Sequence, residues 1–66
     1  MKIVDVKSEV YYGEVQLVAV YEDGSEEFLF GYFPEEYSIS PSELIGKTQE
    51  EAFDVKYKKD LAFMRS

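Results

Sequence analysis

Two runs of strand-forming residues, separated by Asp23 and Gly24, dominate the hydrophobic pattern of the chain. Residues 14–22 read Glu-Val-Gln-Leu-Val-Ala-Val-Tyr-Glu, and residues 25–33 read Ser-Glu-Glu-Phe-Leu-Phe-Gly-Tyr-Phe. Both runs are rich in β-branched and aromatic residues, which favour strands. An Asp-Gly pair between such runs is typical of a type I′ turn, because that turn needs positive φ at both central residues. The pattern therefore predicts a β-hairpin over residues 14–33.

This turn also predicts which residues of the hairpin face each other, because side chains alternate between the two sides of a strand. The pairs expected on the core face are Val15 with Tyr32, Leu17 with Phe30, Ala19 with Phe28, and Tyr21 with Glu26. The pairs expected on the opposite face are Gln16 with Gly31, Val18 with Leu29, and Val20 with Glu27. One small helical layer cannot cover both faces, so the second face needs a partner, another copy or the chain ends. The predicted association face consists of Val18, Val20, Leu29 and Phe33.

The residues before this hairpin predict a third strand. Residues 2–6, Lys-Ile-Val-Asp-Val, fit a short strand at the edge of the sheet, with Val4 and Val6 on one side and Ile3 on the other. The following residues either extend this strand or turn into the next one, and Gly13 marks the bend. A three-stranded antiparallel meander is the expected result.

Helix signals replace the strand pattern in the second half of the chain. Ser40 is followed by Pro41 and, three residues later, by Glu43, which together form a capping box. Gly46 supplies a left-handed stop soon afterwards. These signals predict little more than one helical turn over residues 42–45.

A second helix is predicted to begin at Gln49, because Thr48 and Glu51 repeat the capping pattern. Acidic residues fill its early turns and basic residues follow, which is the polarity that the helix dipole favours. The acids are Glu50, Glu51 and Asp54, and the bases are Lys56, Lys58, Lys59 and Arg65. Asp54 also precedes Lys58 by four residues, a spacing that favours an ion pair.

The end of this helix has three interpretations. Phe53, Tyr57, Leu61 and Met64 recur at helical spacing, which would carry the helix to Met64 and place this stripe on the core face of the sheet. The alternation within residues 53–58 also fits a strand, and a break near residue 59 would leave a terminal strand over residues 61–64. The caps and the charge gradient favour the long helix. The expected fold is a single small α+β domain over residues 1–66, with a β-β-β meander, a short helical turn and a C-terminal helix packed on one face of the sheet.

Composition limits the chemistry that this chain can perform. Its 66 residues include no cysteine and no histidine. Disulfides, thiolate or imidazole metal sites, and Ser-His or Cys-His catalytic pairs are therefore excluded. The acidic stretch over residues 22–27 lacks the ligand spacing of a calcium loop, and the carboxylates sit on turns without a predicted cleft. We expect neither an enzyme nor a bound cofactor, and we expect stability to come from aromatic packing or from association.

The chain carries 14 acidic and 7 basic residues, a net charge of −7, and residues 8–46 contain no Lys or Arg. Such a surface repels nucleic acid and favours a protein partner with a basic surface. The predicted partner-binding acids are Glu22, Asp23, Glu26, Glu27, Glu35, Glu36 and Glu43. Alternatively, the acidic surface only keeps the protein soluble. No apolar run is long enough to span a membrane, and charges occupy the start of the chain, so we expect a cytoplasmic protein of a bacterium, or of the host cytoplasm if phage-encoded.

Several motifs between residues 14 and 61 follow one another in an order found in a known family. They are the Asp23-Gly24 hairpin with its aromatic second strand, Ser38-Ile39-Ser40, a short helix, Gly46-Lys47-Thr48, the acids Glu50 and Glu51, and a lysine-rich stretch that ends Lys59-Asp60-Leu61. This order resembles the short uracil-DNA glycosylase inhibitors of certain Bacillus phages, which are acidic homodimers that mimic DNA.

In that family an aromatic residue followed by a glutamate in the short helix engages the enzyme, and a second aromatic precedes the glycine. The resemblance implies that Glu43 takes the place of this glutamate. Ser42 and Ile45 stand at the two aromatic positions, and residues 1–13 add a strand that the family lacks. Two hypotheses follow: an acidic inhibitor or regulator that occupies the basic site of a nucleic-acid-handling enzyme, and a structural or assembly module that self-associates through the exposed sheet face.

Overall fold

Three antiparallel strands form one sheet in the order β1-β2-β3. The computed structural model describes residues 1–65, and Ser66, the last residue of the predicted domain, lies outside them. The elements are β1 at Ile3–Tyr11, β2 at Glu14–Tyr21, β3 at Glu26–Tyr32, a 3-10 helix at Pro41–Glu43, and α1 at Gln49–Arg65. The predicted small α+β fold, a meander followed by a C-terminal helix that contacts the sheet, is confirmed.

The first hairpin turns at Tyr12 and Gly13, where φ is 52° and 80°. Tyr11 pairs with Glu14, so the loop contains two residues, and positive φ at both of them is the type I′ geometry. Thus β1 extends through the residues whose role the sequence left open, and it is longer than the strand predicted over residues 2–6. A tyrosine at positive φ is uncommon, and this is why the sequence pattern did not point to a type I′ turn here.

A β-bulge near the start of β1 changes the predicted sidedness of that strand. Ile3 pairs with Tyr21 and Asp5 pairs with Val20, which leaves Val4 as an extra residue. Ile3 and Val6 are both buried, whereas Val4 is exposed. The prediction that Val4 and Val6 share a side opposite Ile3 is therefore wrong, because the extra residue interrupts the alternation.

The second hairpin has a three-residue loop instead of the predicted two-residue turn. The Tyr21 amide donates to the Ser25 carbonyl at 2.9 Å, and the Gly24 amide donates to the Tyr21 carbonyl at 2.9 Å. Gly24 has a φ of 86°, so the loop is a turn followed by a glycine bulge. Asp23 and Gly24 do lie in a tight reversal, but Glu22 joins them in the loop and moves the strand pairing by one residue.

A further bulge in β3 restores the predicted pairing farther from the loop. Val18 pairs with Phe28, whereas Leu17 pairs with Phe30, so Leu29 is the extra residue. The predicted partnership of Leu17 with Phe30 is confirmed, as is that of Val15 with Tyr32 and of Gln16 with Gly31. The pairs predicted between the two irregularities are wrong: Ala19 faces Glu27, and Val20 faces Glu26. Leu29 is consequently buried at 6% exposure, while Phe28 is 55% exposed.

The core lies on one side of the sheet, which we term the inner face. Its sheet residues pack against the connector between β3 and α1 and against the start of the helix. The buried residues are Ile3, Val6, Leu17, Ala19, Tyr21, Leu29, Phe30, Tyr32, Ile39, Leu44 and Ala52. The Tyr32 hydroxyl donates to the Ile39 carbonyl at 3.3 Å, which holds the connector on this face.

Farther along, the connector also covers the free edge of β1 at its first residue. The Ile3 amide donates to the Lys47 carbonyl, and the Gly46 amide donates to the Ile3 carbonyl, both at 2.8 Å. Gly46 has a φ of 87°, the left-handed conformation expected of a glycine at this stop. The turn before it is a 3-10 helix, in which Glu43 accepts a hydrogen bond of 2.8 Å from the Ser40 amide.

Helix α1 begins with the predicted capping box. The Thr48 amide donates to the Glu51 carboxylate at 2.9 Å, and the Glu51 amide donates to the Thr48 hydroxyl at 3.3 Å. The helix then continues to Arg65, as the longest of the three interpretations predicts. The predicted ion pair between Asp54 and Lys58 is present at 2.9 Å.

The side of α1 that faces the sheet differs from the predicted one. Ala52 is fully buried and Val55 packs partly against the core, whereas Tyr57 and Met64 are exposed. Two members of the predicted stripe are partly covered: the rings of Phe53 and Phe30 lie 6.2 Å apart, and Leu61 is half-buried. The helix therefore meets the core through Ala52, Val55 and Phe53.

Candidate functional site

The sheet side opposite the core, which we term the outer face, is not covered by the connector or by α1. Both the connector and α1 pack on the inner face, so this side of the three strands meets solvent. Strand pairing places on it Asp5, Lys7, Glu9 and Tyr11 of β1, Glu14, Gln16, Val18 and Val20 of β2, and Glu26, Phe28 and Gly31 of β3.

The centre of the outer face is apolar. Val18 and Val20 are half-buried, and Phe28, which pairs with Val18, is exposed over more than half of its surface. Lys7 and Glu26 lie on the two strands that flank β2, and their side chains form an ion pair of 2.8 Å across it. This pair raises the pKa of Lys7, chiefly through its hydrogen bond to Glu26. Lys7 and Phe28 flank Val18 on the two neighbouring strands, so long side chains shield the valines in part although no other layer covers them.

Carboxylates surround this apolar centre. Asp5, Glu9, Glu14 and Glu26 all belong to the outer face, whose only basic residue is Lys7. The side-chain amide of Gln16 donates to the Glu14 carboxylate at 3.1 Å, and the Glu14 side chain lies over Gly31. A Cβ at position 31 would come within 2.5 Å of the Glu14 Cδ, so the glycine makes room for this carboxylate.

Exposed aromatics mark the end of the sheet where the first hairpin turns. The rings of Tyr11 and Tyr12 meet edge to face at 4.5 Å, and Tyr12 is 91% exposed. Phe33, one residue beyond β3, is also exposed. Tyr11 belongs to the outer face, so the apolar centre and this aromatic end form one continuous side of the molecule.

Four of the seven predicted partner-binding acids occupy opposite ends of the molecule. Glu22 and Asp23 lie in the second hairpin loop, and Glu35 and Glu36 follow the other end of β3, roughly 20 Å away at about 3.4 Å per strand residue. Asp23 accepts hydrogen bonds from the Ser25 hydroxyl and amide, which lower the pKa of its carboxyl. The two ends do not form a single acidic site.

The remaining three predicted acids have protein partners. Glu26 pairs with Lys7 on the outer face, whereas Glu27 accepts a hydrogen bond of 2.9 Å from the Tyr21 hydroxyl on the inner side. Glu43 caps the Ser40 amide and pairs with Lys59 at 3.0 Å, and both contacts lower its pKa, the amide first. The seven acids are thus spread over both sides and both ends of the fold.

The predicted association face is only partly assembled. Val18 and Val20 lie together on the outer face, and Phe33 is exposed beyond it, but Leu29 is buried in the core. Phe28 takes the outer-face position that was assigned to Leu29. The sequence did not point to Phe28 or Asp5, because the bulges in β3 and β1 have no local signal. It did not point to Glu9, because the length of β1 was left open.

No family model, curated protein or solved structure matches this chain. Residues 1–65 contain no group of three acidic side chains placed to hold a metal ion. Within the same residues, no helix is long and apolar enough to cross a membrane. The outer face is therefore the candidate functional site on its geometry alone.

Proposed function

We propose that this protein is a non-enzymatic binding module whose outer face receives the basic surface of a protein partner. The observation that carries the proposal is an accessible phenylalanine, Phe28, beside Val18 and Val20 at the centre of a sheet face bordered by carboxylates. Protein interfaces combine an apolar or aromatic anchor with a polar rim in this manner.

Charge favours a basic partner over the other occupants of such a face. Four carboxylates and one ammonium give the outer face a net formal charge of −3. Nucleic acid would be repelled by it, and a second copy presented face to face would bring the same charge against itself. A partner with clustered lysines and arginines would instead be attracted, and its association rate would depend on ionic strength.

An enzyme that handles nucleic acid has a basic surface of this kind, so inhibition of such an enzyme is the specific form of the proposal. The acids of the second hairpin loop and of the turn after β3 would extend the attraction beyond the contact itself. The contact would be made by the outer face, with Phe28 as its anchor, and Glu43 would remain engaged with Ser40 and Lys59.

The test compares capture of basic proteins by the immobilised wild type, by Phe28→Ser and by Val10→Ser. Val10 is a matched control because it is an accessible apolar residue of β1 that belongs to the inner side of the sheet, opposite Val15. We expect one basic protein to be retained by the wild type and by Val10→Ser, and to be lost with Phe28→Ser and at 1 M salt, where the screening length is about 3 Å.

Retention by Phe28→Ser, retention at high salt, or the absence of a selectively bound protein would each count against the proposal. The inhibitor form has its own assay, in which purified uracil-DNA glycosylase acts on a uracil-containing oligonucleotide with increasing amounts of each variant. Unaltered enzyme rates at excess wild-type protein would eliminate that enzyme as the target while leaving the binding measurement to decide the broader proposal.

A further inference from the structure

The outward side of α1 carries a second apolar surface that the fold covers only in part. Phe53, Tyr57, Leu61 and Met64 are spaced by four, four and three residues, so at 3.6 residues per turn they fall within about 80° of one another. Tyr57 and Met64 are well exposed, at 61% and 71%. Phe53 remains 43% exposed beside Phe30, and Leu61 is half-buried. Ala52, Val55 and Lys59, which point toward the rest of the protein, lie on another side of the helix.

Unpaired charges of opposite sign stand at the two ends of this apolar stripe. Glu50 precedes Phe53 by about one turn, and Arg65 follows Leu61 by about one turn. Among the side chains described, neither Glu50 nor Arg65 has a hydrogen bond or an ion pair. They are about 22 Å apart along one helix at 1.5 Å per residue, so they cannot pair with each other within a copy.

We propose that α1 pairs antiparallel with α1 of a second copy of this chain, through the stripe formed by Phe53, Tyr57, Leu61 and Met64. In that arrangement Phe53 of each copy lies beside Met64 of the other, and Tyr57 lies beside Leu61. Glu50 of each copy then approaches Arg65 of the other, so the dimer forms two Glu50–Arg65 ion pairs, one at each end of the paired helices.

The charge pattern selects a second copy and the antiparallel direction. A parallel pair would place Glu50 beside Glu50 and Arg65 beside Arg65, which repel. The helix also packs on its own sheet over a small area, since Ala52 is the only one of its described residues that is fully buried. A chain of this size commonly gains stability from association, and the paired helices would shelter four apolar side chains at once.

Helix pairing is independent of the proposed function. The helix covers the inner face, so the stripe and the outer face point in opposite directions. A helix-paired dimer would therefore present two outer faces to solvent, and it could bind two basic surfaces or one repeated surface with increased avidity.

The experiment measures the dimer dissociation constant by sedimentation equilibrium for the wild type, Glu50→Arg, Arg65→Glu and the double variant that combines both. We expect a wild-type dimer, a weakening of about tenfold or more in each single variant, and recovery in the double variant, because only the double variant restores opposite charges in both pairs. Glu36→Arg changes the net charge as much as Glu50→Arg but lies outside α1, so it should dimerise like the wild type.

Several outcomes would overturn the inference. A wild type that remains monomeric at 1 mM protein excludes the pairing. A dimer that both single variants leave unchanged, or that the double variant fails to restore, excludes the antiparallel register. If Val18→Glu abolishes dimerisation and Tyr57→Glu leaves it unchanged, the dimer contact lies on the outer face and not on α1. Circular dichroism of every variant distinguishes loss of pairing from loss of folding.

Discussion

Leu29 and Phe30 are adjacent in the sequence, yet both side chains lie in the core, at 6% and 7% exposure. Neighbouring residues of a regular strand point to opposite sides, so this arrangement requires the bulge at which β3 departs from regular pairing. The same bulge places Phe28 on the outer face. A local irregularity in one edge strand thus supplies both an additional core residue and the aromatic anchor of the proposed binding site.

Truncation of Leu29 should destabilise the protein much more than truncation of Phe28. We expect Leu29→Ala to lower the free energy of unfolding by about 2–4 kcal/mol, because it leaves a cavity in a small core. Phe28→Ala should cost less than about 1 kcal/mol, because more than half of its side chain is exposed to solvent. Urea denaturation followed by circular dichroism measures both values, and equal losses would argue against the observed β3 register.

Tyr12 offers a route to higher stability. Its φ of 52° favours asparagine or glycine over a bulky aromatic residue, and its ring makes only an edge contact with Tyr11. We expect Tyr12→Asn to stabilise the protein by about 1 kcal/mol, which raises Tm by about 4–8 °C in a domain of this size. Tyr11→Asn is the control in thermal unfolding. Its Tm should not rise, since position 11 lies within β1. A Tm of Tyr12→Asn at or below the wild-type value would contradict the type I′ assignment.

The cap of α1 can be tested by removing its hydroxyl. Thr48→Ala leaves the Glu51 amide without its side-chain acceptor and should lower the free energy of unfolding by about 1 kcal/mol. Thr48→Ser keeps an acceptor at the same position and should restore most of this loss. Denaturant titrations monitored by helical circular dichroism give both differences. Equal stability of the alanine and serine variants would show that the cap contributes little.

Asp60 links the connector to the helix and should make stability depend on pH. Its carboxylate accepts hydrogen bonds from the Tyr37 hydroxyl and from Lys56, and these lower its pKa, the Tyr37 contact most. A carboxyl with a lowered folded-state pKa stabilises the protein above its ordinary pKa near 3.9, and this contribution disappears as the pH falls through the folded-state value.

The wild type should therefore exceed Asp60→Asn in unfolding free energy at pH 6, and the difference should diminish as the pH falls below about 4. Tyr37→Phe removes the principal donor and should flatten the same pH dependence relative to the wild type. Urea midpoints measured from pH 3 to pH 7 provide the comparison. A difference between wild type and Asp60→Asn that stays constant over this range would refute the linkage.

The sequence by itself determined the order of strands and helices, the cap formed by Thr48 and Glu51, and the left-handed stop at Gly46. These features depend on residues within one turn or one strand of each other, so local propensities and backbone geometry are sufficient to predict them. It also determined the acidic character of the molecule and the absence of histidine and cysteine, which limits the available chemistry.

The tertiary structure decided which side chains face the core. Two bulges and a glycine bulge in the hairpin loop shifted the register by single residues, and each shift of one residue moves a side chain to the other side of the sheet. Whether a strand accepts an extra residue depends on packing against its neighbours across the sheet, so Leu29 entered the core and Phe28 left it. Packing also decided which side of α1 faces the sheet. The connector shares the space above the sheet, so the small side chain of Ala52 lies where the helix comes closest and Tyr57 remains outside.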